Sequence, residues 1–599
     1  MILSSKSKRR QVGVQSERGS LISRQRSLAT ALLIIAIVLA PTLSFSVDLP
    51  SLTPEPVRTE KVSPFITDQA RTFLEARDGQ VLKVWVFFID KGFSDQRGFE
   101  RLAAAASLTE RALKRRAKVG LDKIVFSDLP VASRYVEQIE SLGAIHRRSS
   151  RLLNAASFEI PLDRLDQIGA LPFVARIRPL AGFEGAPKDT PDVLDRESRL
   201  PGELEGDTLD YGLSFNQLHQ INVPAAHERG FSGSGVTMAI MDDGFRKSHV
   251  AFAPHYTDGR VLAEWDFINN DGNVAIEGFE SNVQWSHGTR VWSVAGGASP
   301  GFVYGPAYGA SFILCKTEDQ SSETPVEEDN WVAALEFADS IGTDVINTSL
   351  GYSAWYTSAE YDGQTAVITM AANTCDGLGI VMCNSAGNSG PGASSVTPPA
   401  DAYDILAVGS VDLTGTIALS SSRGPTYDSG DPNDPPRIKP EVCARGVSDR
   451  TASWLTDTTY TVGSGTSFAS PLVAGAACLV IEAHPDWTPY QVRQALKLTA
   501  SQAATPDNTY GWGIINVNAA IDWDGSGVCC EGVLGNVNCS GWVDIADLQL
   551  LVDHLYIDLE PLCCPDEGDL DGSGGVDIAD LQLMLDHMFL GLQPFPACP

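Results

Sequence analysis

From Val236 onward the chain reads as short apolar runs separated by helical periods. VTMAIM, SFILC, DVINTSL, IVMCNSA and DILAVGS alternate with stretches such as NWVAALEFADSIG and PLVAGAACLVIEAH. Near-continuous apolar strands between helices predict a parallel sheet covered on both faces, a doubly wound α/β domain. Ligands of such sheets bind at the carboxyl ends of the strands, and polar, Gly-flanked residues fall there. Ahead of this region, VLKVWVFFI reads as a buried strand. The amphipathic SRYVEQIESLGA, the strand ASFEI, the helix LDRLDQIGAL and the strand FVARIRP follow, which makes a small α/β unit. The basic segment LTERALKRRAKVG reads as a helix with a solvated face around Lys114–Lys118; docking on the acidic remainder of the chain is the alternative.

These shifts divide the chain into six parts. Residues 1–46 form a signal-like segment, 47–80 a Pro-rich linker and 81–181 the small α/β unit. Residues 182–210 are an acidic linker open to cutting, 211–521 the large α/β domain and 522–599 a tail. In the first part, Arg- and Lys-rich sequence leads into an apolar run from Leu28 to Ala40. That run is shorter than the ~20 residues a membrane helix needs. With small residues at Ser44 and Ser46 it predicts a secretory signal cut near Ser46–Val47, an uncleaved anchor being the alternative. No stable membrane span is expected.

Charge and cysteine content narrow the chemistry. With 44 basic against 75 acidic residues, the 599-residue chain carries a net charge of −31, which argues against nucleic acid as a partner. Export makes disulfides permissible for the 11 cysteines, six of which crowd the stretch Cys529–Cys598. An odd total leaves at least one thiol unpaired in a monomer, and Cys478, inside an apolar helical pattern, is the expected one. No cysteine stands in a CxxC metal array, which argues against zinc.

Three fragments bring reactive residues to strand and helix ends. MAIMDDG places Asp242 at the end of a buried strand, SHGTRVWSVAGG places His287 at a helix start, and GSGTSFASPLVAG places Ser467 at the start of an apolar helix. A hydroxyl needs a base to become a nucleophile, and the base needs a third group to hold its tautomer. A helix N-terminus at Ser467 would add N–H donors for a developing oxyanion.

On these residues the sequence resembles a subtilisin-like serine peptidase (subtilase). The order Asp…His…Ser, the DDG, HGT and GTSFASP motifs, and further short matches carry the resemblance over roughly residues 215–521. It implies the subtilisin-like fold and a serine endopeptidase acting on protein or peptide substrates. Ser467 would be the nucleophile, His287 the base, Asp242 its orienting acid and Asn388 of NSAGNSG the side-chain oxyanion donor. Ser349, Leu350 and Gly351 of NTSLG would pair with the substrate backbone. Departures are Arg290 where a second His is usual, Leu472 in place of another His, and Asp243, a second carboxylate that would raise the local pKa or bind a cation, with Arg290 as its partner. His249 resembles a structural His of the family. His146, His219, His227, His255 and His484 read as surface or satisfied core residues. The small α/β unit resembles a subtilase propeptide, which implies a chaperone that fills the cleft until cut within 182–210; a permanent accessory domain is the alternative.

The tail has 15 acidic residues and no Lys or Arg, and it repeats itself. GNVNCSGWVDIADLQLLVDHL and GDLDGSGGVDIADLQLMLDHM place oxygen ligands at the spacing of a calcium loop followed by a helix. The first loop offers Asn536, Asn538, Ser540, the Trp542 carbonyl, Asp544 and Asp547. The second offers Asp569, Asp571, Ser573, the Gly575 carbonyl, Asp577 and Asp580. With fewer carboxylates, the first should bind calcium (Ca2+) more weakly. The pattern resembles tandem dockerin repeats, which implies a small helical calcium-binding domain and a cohesin-like partner. Ile545-Ala546 and Ile578-Ala579 stand where dockerin specificity positions are commonly polar, so a self-contained stabilising cap is the alternative. Calcium sites in the large domain are left open. The expectation is a secreted zymogen of a serine endopeptidase, extracellular or held at the cell surface by its tail; a non-catalytic peptide-binding or adhesion scaffold is the alternative.

Overall fold

Strand Leu82–Phe88 (β1) is buried along nearly its whole length, as its apolar sequence requires. It pairs antiparallel with Ala155–Ile160 (β3) on one side and Val174–Pro179 (β4) on the other, and Ile145–Ser150 (β2) completes the order β2-β3-β1-β4. Helices Glu110–Ala117 (α1) and Ser133–Glu140 (α2) belong to the same unit. Thr109 caps α1 by accepting the Ala112 N–H at 3.2 Å. The computed structural model describes residues 61–76, 81–121, 123–181, 207–320, 328–353, 355–427 and 436–524. Of the tail it describes 534–537, 543, 545–556, 562, 565–570 and 576–590. The signal-like segment and most of both linkers lie outside the described residues.

The large domain is built on a seven-stranded sheet. Its strands are Thr237–Asp242 (β5), Val261–Asp266 (β6), Ser311–Lys316 (β7), Val345–Thr348 (β8), Val381–Ser385 (β9), Leu406–Val411 (β10) and Val442–Arg445 (β11). All neighbouring pairs are parallel, in the order β11-β10-β9-β8-β5-β7-β6. The order reverses about β5, the first strand in sequence, and β5 ends at Asp242. Helices Ser286–Gly296 (α3) and Thr466–Ala483 (α5) bring His287 and Ser467 to the same end. Apart from its last two residues, α5 is buried from end to end. Its length and composition would also suit a membrane span, yet it is the core helix of this domain. Cys478 on α5 is a free buried thiol, as expected, and so are Cys315, Cys375, Cys383 and Cys443. The six tail cysteines lie outside the described residues.

Helix Glu328–Ile341 (α4) joins the two units. Trp85 and Phe158 of the amino-terminal sheet share one hydrophobic cluster with Trp331, Leu335 and Tyr356. Polar contacts run along the same helix. Trp85 Nε1 donates to Glu328 at 2.8 Å, while Arg147 and Ser157 both reach Asp329, at 2.8 and 2.6 Å. Arg115 and Arg116 of α1 do not form the solvated face expected from sequence. Together with Arg151 they converge on Asp339 of α4, buried, and Asp128 accepts from Arg116 at 2.7 Å and from Arg151 at 3.0 Å. Guanidiniums can be buried here because three carboxylates, Asp339, Asp128 and Glu336, compensate them; unpaired, they would stay in water.

In the tail, Ile545–Tyr556 (α6) and Ile578–Leu585 (α7) form where the repeats predict helices. Leu548, Leu551, Leu581 and Met584 pack into a small core of their own.

Candidate active site

Asp242 is fully buried at the end of β5, and His287 lies in the first turn of α3 with only its edge exposed. The imidazole Nδ1 sits 2.8 Å from Asp242 Oδ1 and 3.0 Å from Oδ2. Asp242 Oδ1 also accepts the Asp243 N–H at 2.8 Å. Close approach of α3 to β5 depends on Gly288, where a Cβ would stand 2.3 Å from the Gly244 carbonyl oxygen.

Ser467 is the second residue of α5, and the ring of the next residue, Phe468, lies 5.8 Å from the His287 ring. The Ser467 hydroxyl donates to the Ser349 carbonyl oxygen at 3.2 Å and, among the described residues, makes no hydrogen bond to His287. The Ser349 hydroxyl in turn donates to the Ser467 carbonyl oxygen at 2.9 Å. That carbonyl is available because its helical partner four residues on is Pro471, which has no N–H. The proline of GTSFASP thus frees the acceptor that ties the Ser467 turn to Ser349.

Asn388 Oδ1 accepts the Thr466 N–H at 3.0 Å and the Thr466 hydroxyl at 3.3 Å. This orients the amide and leaves Nδ2 without a protein partner among the described residues. Ser467 N–H falls in the first turn of α5, where backbone donors have no intrahelical acceptor. Along NTSLG, Asn384 Nδ2 takes the Leu350 carbonyl at 3.3 Å and Tyr352 N–H bonds Pro398 O at 2.9 Å. The backbone groups of Gly351 between them have no partner among the described residues, as an edge open to an extended peptide requires. All seven site residues expected in this domain are therefore gathered at one end of the sheet.

Over residues 233–513 the chain matches the sequence model of the Subtilase family, and over 83–191 that of the Peptidase S8 propeptide domain, Bacteroidota. It is 34% identical to Subtilisin E of Bacillus subtilis over 337 residues, which span 56% of this chain and 76% of the relative. The chain belongs to the subtilase family. It is also similar to Subtilisin of Bacillus pumilus, 33% identical over 317 residues that cover 52% of this chain and 98% of that one. Among solved structures, fervidolysin of Fervidobacterium pennivorans, a keratinolytic enzyme related to subtilisin, superposes with a TM-score of 0.53 at 20% identity. The superposition covers 74% of this chain and 61% of that one, and it supports the fold. The protein is thus a subtilisin-like serine endopeptidase with its family's propeptide domain ahead of the peptidase domain.

Three features of this subtilase were not resolved by its motifs. Asp243 spends both carboxylate oxygens on backbone, accepting from Gly288 N–H at 2.8 Å and His287 N–H at 3.1 Å. Burial, and then the adjacent Asp242 charge, push its carboxyl well above the ordinary carboxylate range, while the Gly288 and His287 N–H groups and Arg290 act the other way. Arg290 is itself buried, with its guanidinium 5.0 Å from the Trp454 ring centre and 5.2 Å from that of Phe468. The third feature is an acidic group of Asp266, Glu277 and Glu280. Buried Lys316 Nζ lies 2.9 Å from Asp266 and also contacts Glu280, and Asn269 Nδ2 donates to all three carboxylates. An ammonium already stands where a cation would, so this group does not fit a calcium site.

Four further histidines are anchored through a ring nitrogen. His249, His227 and His255 each contact a backbone carbonyl through Nε2, at 2.9, 2.8 and 2.6 Å, and His484 does the same at 2.8 Å. Of the expected tail ligands, Asn536, Asp547, Asp569, Asp577 and Asp580 are described. Asn538, Ser540, Trp542, Asp544, Asp571, Ser573 and Gly575 lie outside the described residues. Asp547 and Asp580, equivalent in the two repeats, are fully buried.

Proposed function

We propose that Ser467 is the nucleophile of this endopeptidase, with His287 as general base and Asp242 as its orienting acid. The observation that carries the reading is the Asp242–His287 pair at 2.8 Å beside the start of the helix bearing Ser467. Rotation about the Ser467 Cα–Cβ bond moves its hydroxyl from the Ser349 carbonyl toward His287 Nε2. His287 takes the proton as Oγ attacks the peptide carbonyl, and the tetrahedral oxygen accepts from Asn388 Nδ2–H and Ser467 N–H. The imidazolium, stabilised by Asp242, returns its proton to the leaving amine, and water then releases the acyl group by the same steps. Ser349, Leu350 and Gly351 line the edge on which the substrate backbone lies.

Residues 1–46 direct export, residues 81–181 inhibit the peptidase domain, and cutting within 182–210 frees residues 211–521. In the tail 522–599, the repeated spacing of oxygen-bearing residues, in a segment with 15 acidic residues and no Lys or Arg, favours a bound cation. The side chains at these positions are hard oxygen donors suited to calcium, whose chemistry would link each loop to its following helix. A dockerin-like domain of this kind offers a docking surface for a cohesin-like module.

Amino-terminal sequencing of secreted wild type and Ser467→Ala tests the reading, together with labelling by a serine-reactive phosphonate. Processing and Ser467 labelling in wild type, and neither in Ser467→Ala, support it. A correctly processed wild type that takes no label refutes it in favour of a peptide-binding scaffold.

A further inference from the structure

The start of α3 lacks a local cap. Trp285, at the N-cap position, provides no side-chain acceptor, so the first N–H groups of the helix must find partners elsewhere. Asp243, 44 residues back in sequence, supplies both acceptors, to His287 N–H at 3.1 Å and Gly288 N–H at 2.8 Å. The same residue donates its own N–H to Asp242 Oδ1 at 2.8 Å, and its carbonyl is pinned by Gln284 Nε2 at 2.7 Å. One residue therefore grips the backbone of the base with its side chain and the carboxylate of the acid with its main chain. We propose that Asp243 is a positioning residue that fixes His287 against Asp242.

Full burial keeps the Asp243 carboxylate away from substrate, so its effect runs through His287. Burial and the Asp242 charge favour the neutral form of this carboxyl, while the Gly288 and His287 N–H groups and the Arg290 guanidinium favour the carboxylate. A Ser or Thr at this position would offer one oxygen, whereas Asp offers two, one for each N–H. The inference rests on His287 being the general base.

The test compares wild type, Asp243→Ser and Asp243→Leu in turnover of a chromogenic peptide, with active sites counted by phosphonate titration. Misplacing a catalytic group by about 1 Å costs ~10²-fold. Asp243→Leu, with no acceptor, should therefore lose about 10²-fold in kcat per titrated site with KM within about twofold of wild type. Asp243→Ser keeps one acceptor and should fall between the two, about tenfold down. If Asp243→Leu yields no titratable sites, Asp243→Ser alone decides. Wild-type kcat in Asp243→Ser overturns the proposal, as does a loss carried by KM in either variant. Should wild type itself turn nothing over, the assignment of His287 and Ser467 has failed instead.

Discussion

Asp339→Ala removes the carboxylate on which Arg115, Arg116 and Arg151 of the propeptide domain converge. Burial alone would raise the Asp339 carboxyl, but Arg115, Arg116 and Arg151 hold it below the ordinary carboxylate range. Asp128 and Glu336 are the other carboxylates among these guanidiniums: Asp128 belongs to the propeptide domain itself, and Glu336 of α4 lies 3.7 Å from Arg151. Removing one partner of a buried ion pair costs ~3–5 kcal/mol, because the opposite charge stays buried without compensation. At ~1.4 kcal/mol per decade, that is about two to three and a half orders of magnitude in the dissociation constant of the cleaved propeptide. The assay dilutes the processed but still associated chain and follows recovery of peptidase activity as the inhibitor leaves. Asp339→Ala should recover at protein concentrations at least about 100-fold higher than wild type. Salt should not erase the difference, since buried pairs are screened far less than surface ones. Once the propeptide has gone, Asp339 lies on the outer side of α4, so the mature variant should melt within a few degrees of wild type. A dissociation constant within threefold of wild type would refute the reasoning and assign the affinity to the hydrophobic cluster and the other polar contacts along α4.

Glu328, between Trp85 and Tyr356, has its carboxyl pushed up to about 7 by burial, against the hydrogen bonds from Tyr356, Trp85 and Ala181. Its contribution to propeptide affinity is full below the ordinary Glu value and is lost as pH rises through about 7. Inhibition should weaken between pH 5 and 8 by at most roughly two orders of magnitude, a slope that Glu328→Gln removes; equal slopes in inhibition assays would contradict this. Burial lowers His227 and His255 to about 4, so each favours the folded state above the ordinary imidazole value. That stability fades as pH falls from about 6.5 toward 4, and calorimetric melting across this window should show a shallower fall in His255→Gln than in wild type. Calcium titration should reveal two tail sites, the second repeat binding more tightly. Asp580→Ala should abolish the tighter one and Asp547→Ala the weaker, while a single site of equal affinity in both variants would exclude paired loops. Ser467→Ala should lower kcat by ~10⁶-fold, measured with a chromogenic peptide, because the triad acts as a unit.

The parts of the fold legible in the sequence are those where one residue's environment repeats at short range. A strand such as β5, covered on both faces, has to be apolar throughout, so VTMAIM announces both the strand and its reactive end at Asp242. Gly288 and Pro471 are equally local: one permits a contact and the other frees a carbonyl, and both are fixed parts of short motifs. What the sequence conceals is pairing across distance. Lys316 neutralises Asp266 and Glu280 from a neighbouring strand, and Asp243 caps a helix that begins 43 residues later.

Charge is where this limit matters most. The periodicity of LTERALKRRAKVG gives a face and a sign, which for an isolated helix means water. Arg115 and Arg116 are buried instead because Asp339, more than 220 residues away, lies opposite them once both units have folded. The cost of desolvating those guanidiniums is therefore met only by the assembled pair, and separation returns both sides to water. Such a contact discriminates strongly between the right and wrong partner while adding little net free energy over a hydrophobic one. An inhibitor that must first template its enzyme and then leave needs that combination, since hydrophobic burial by itself would raise affinity without selecting the docking geometry.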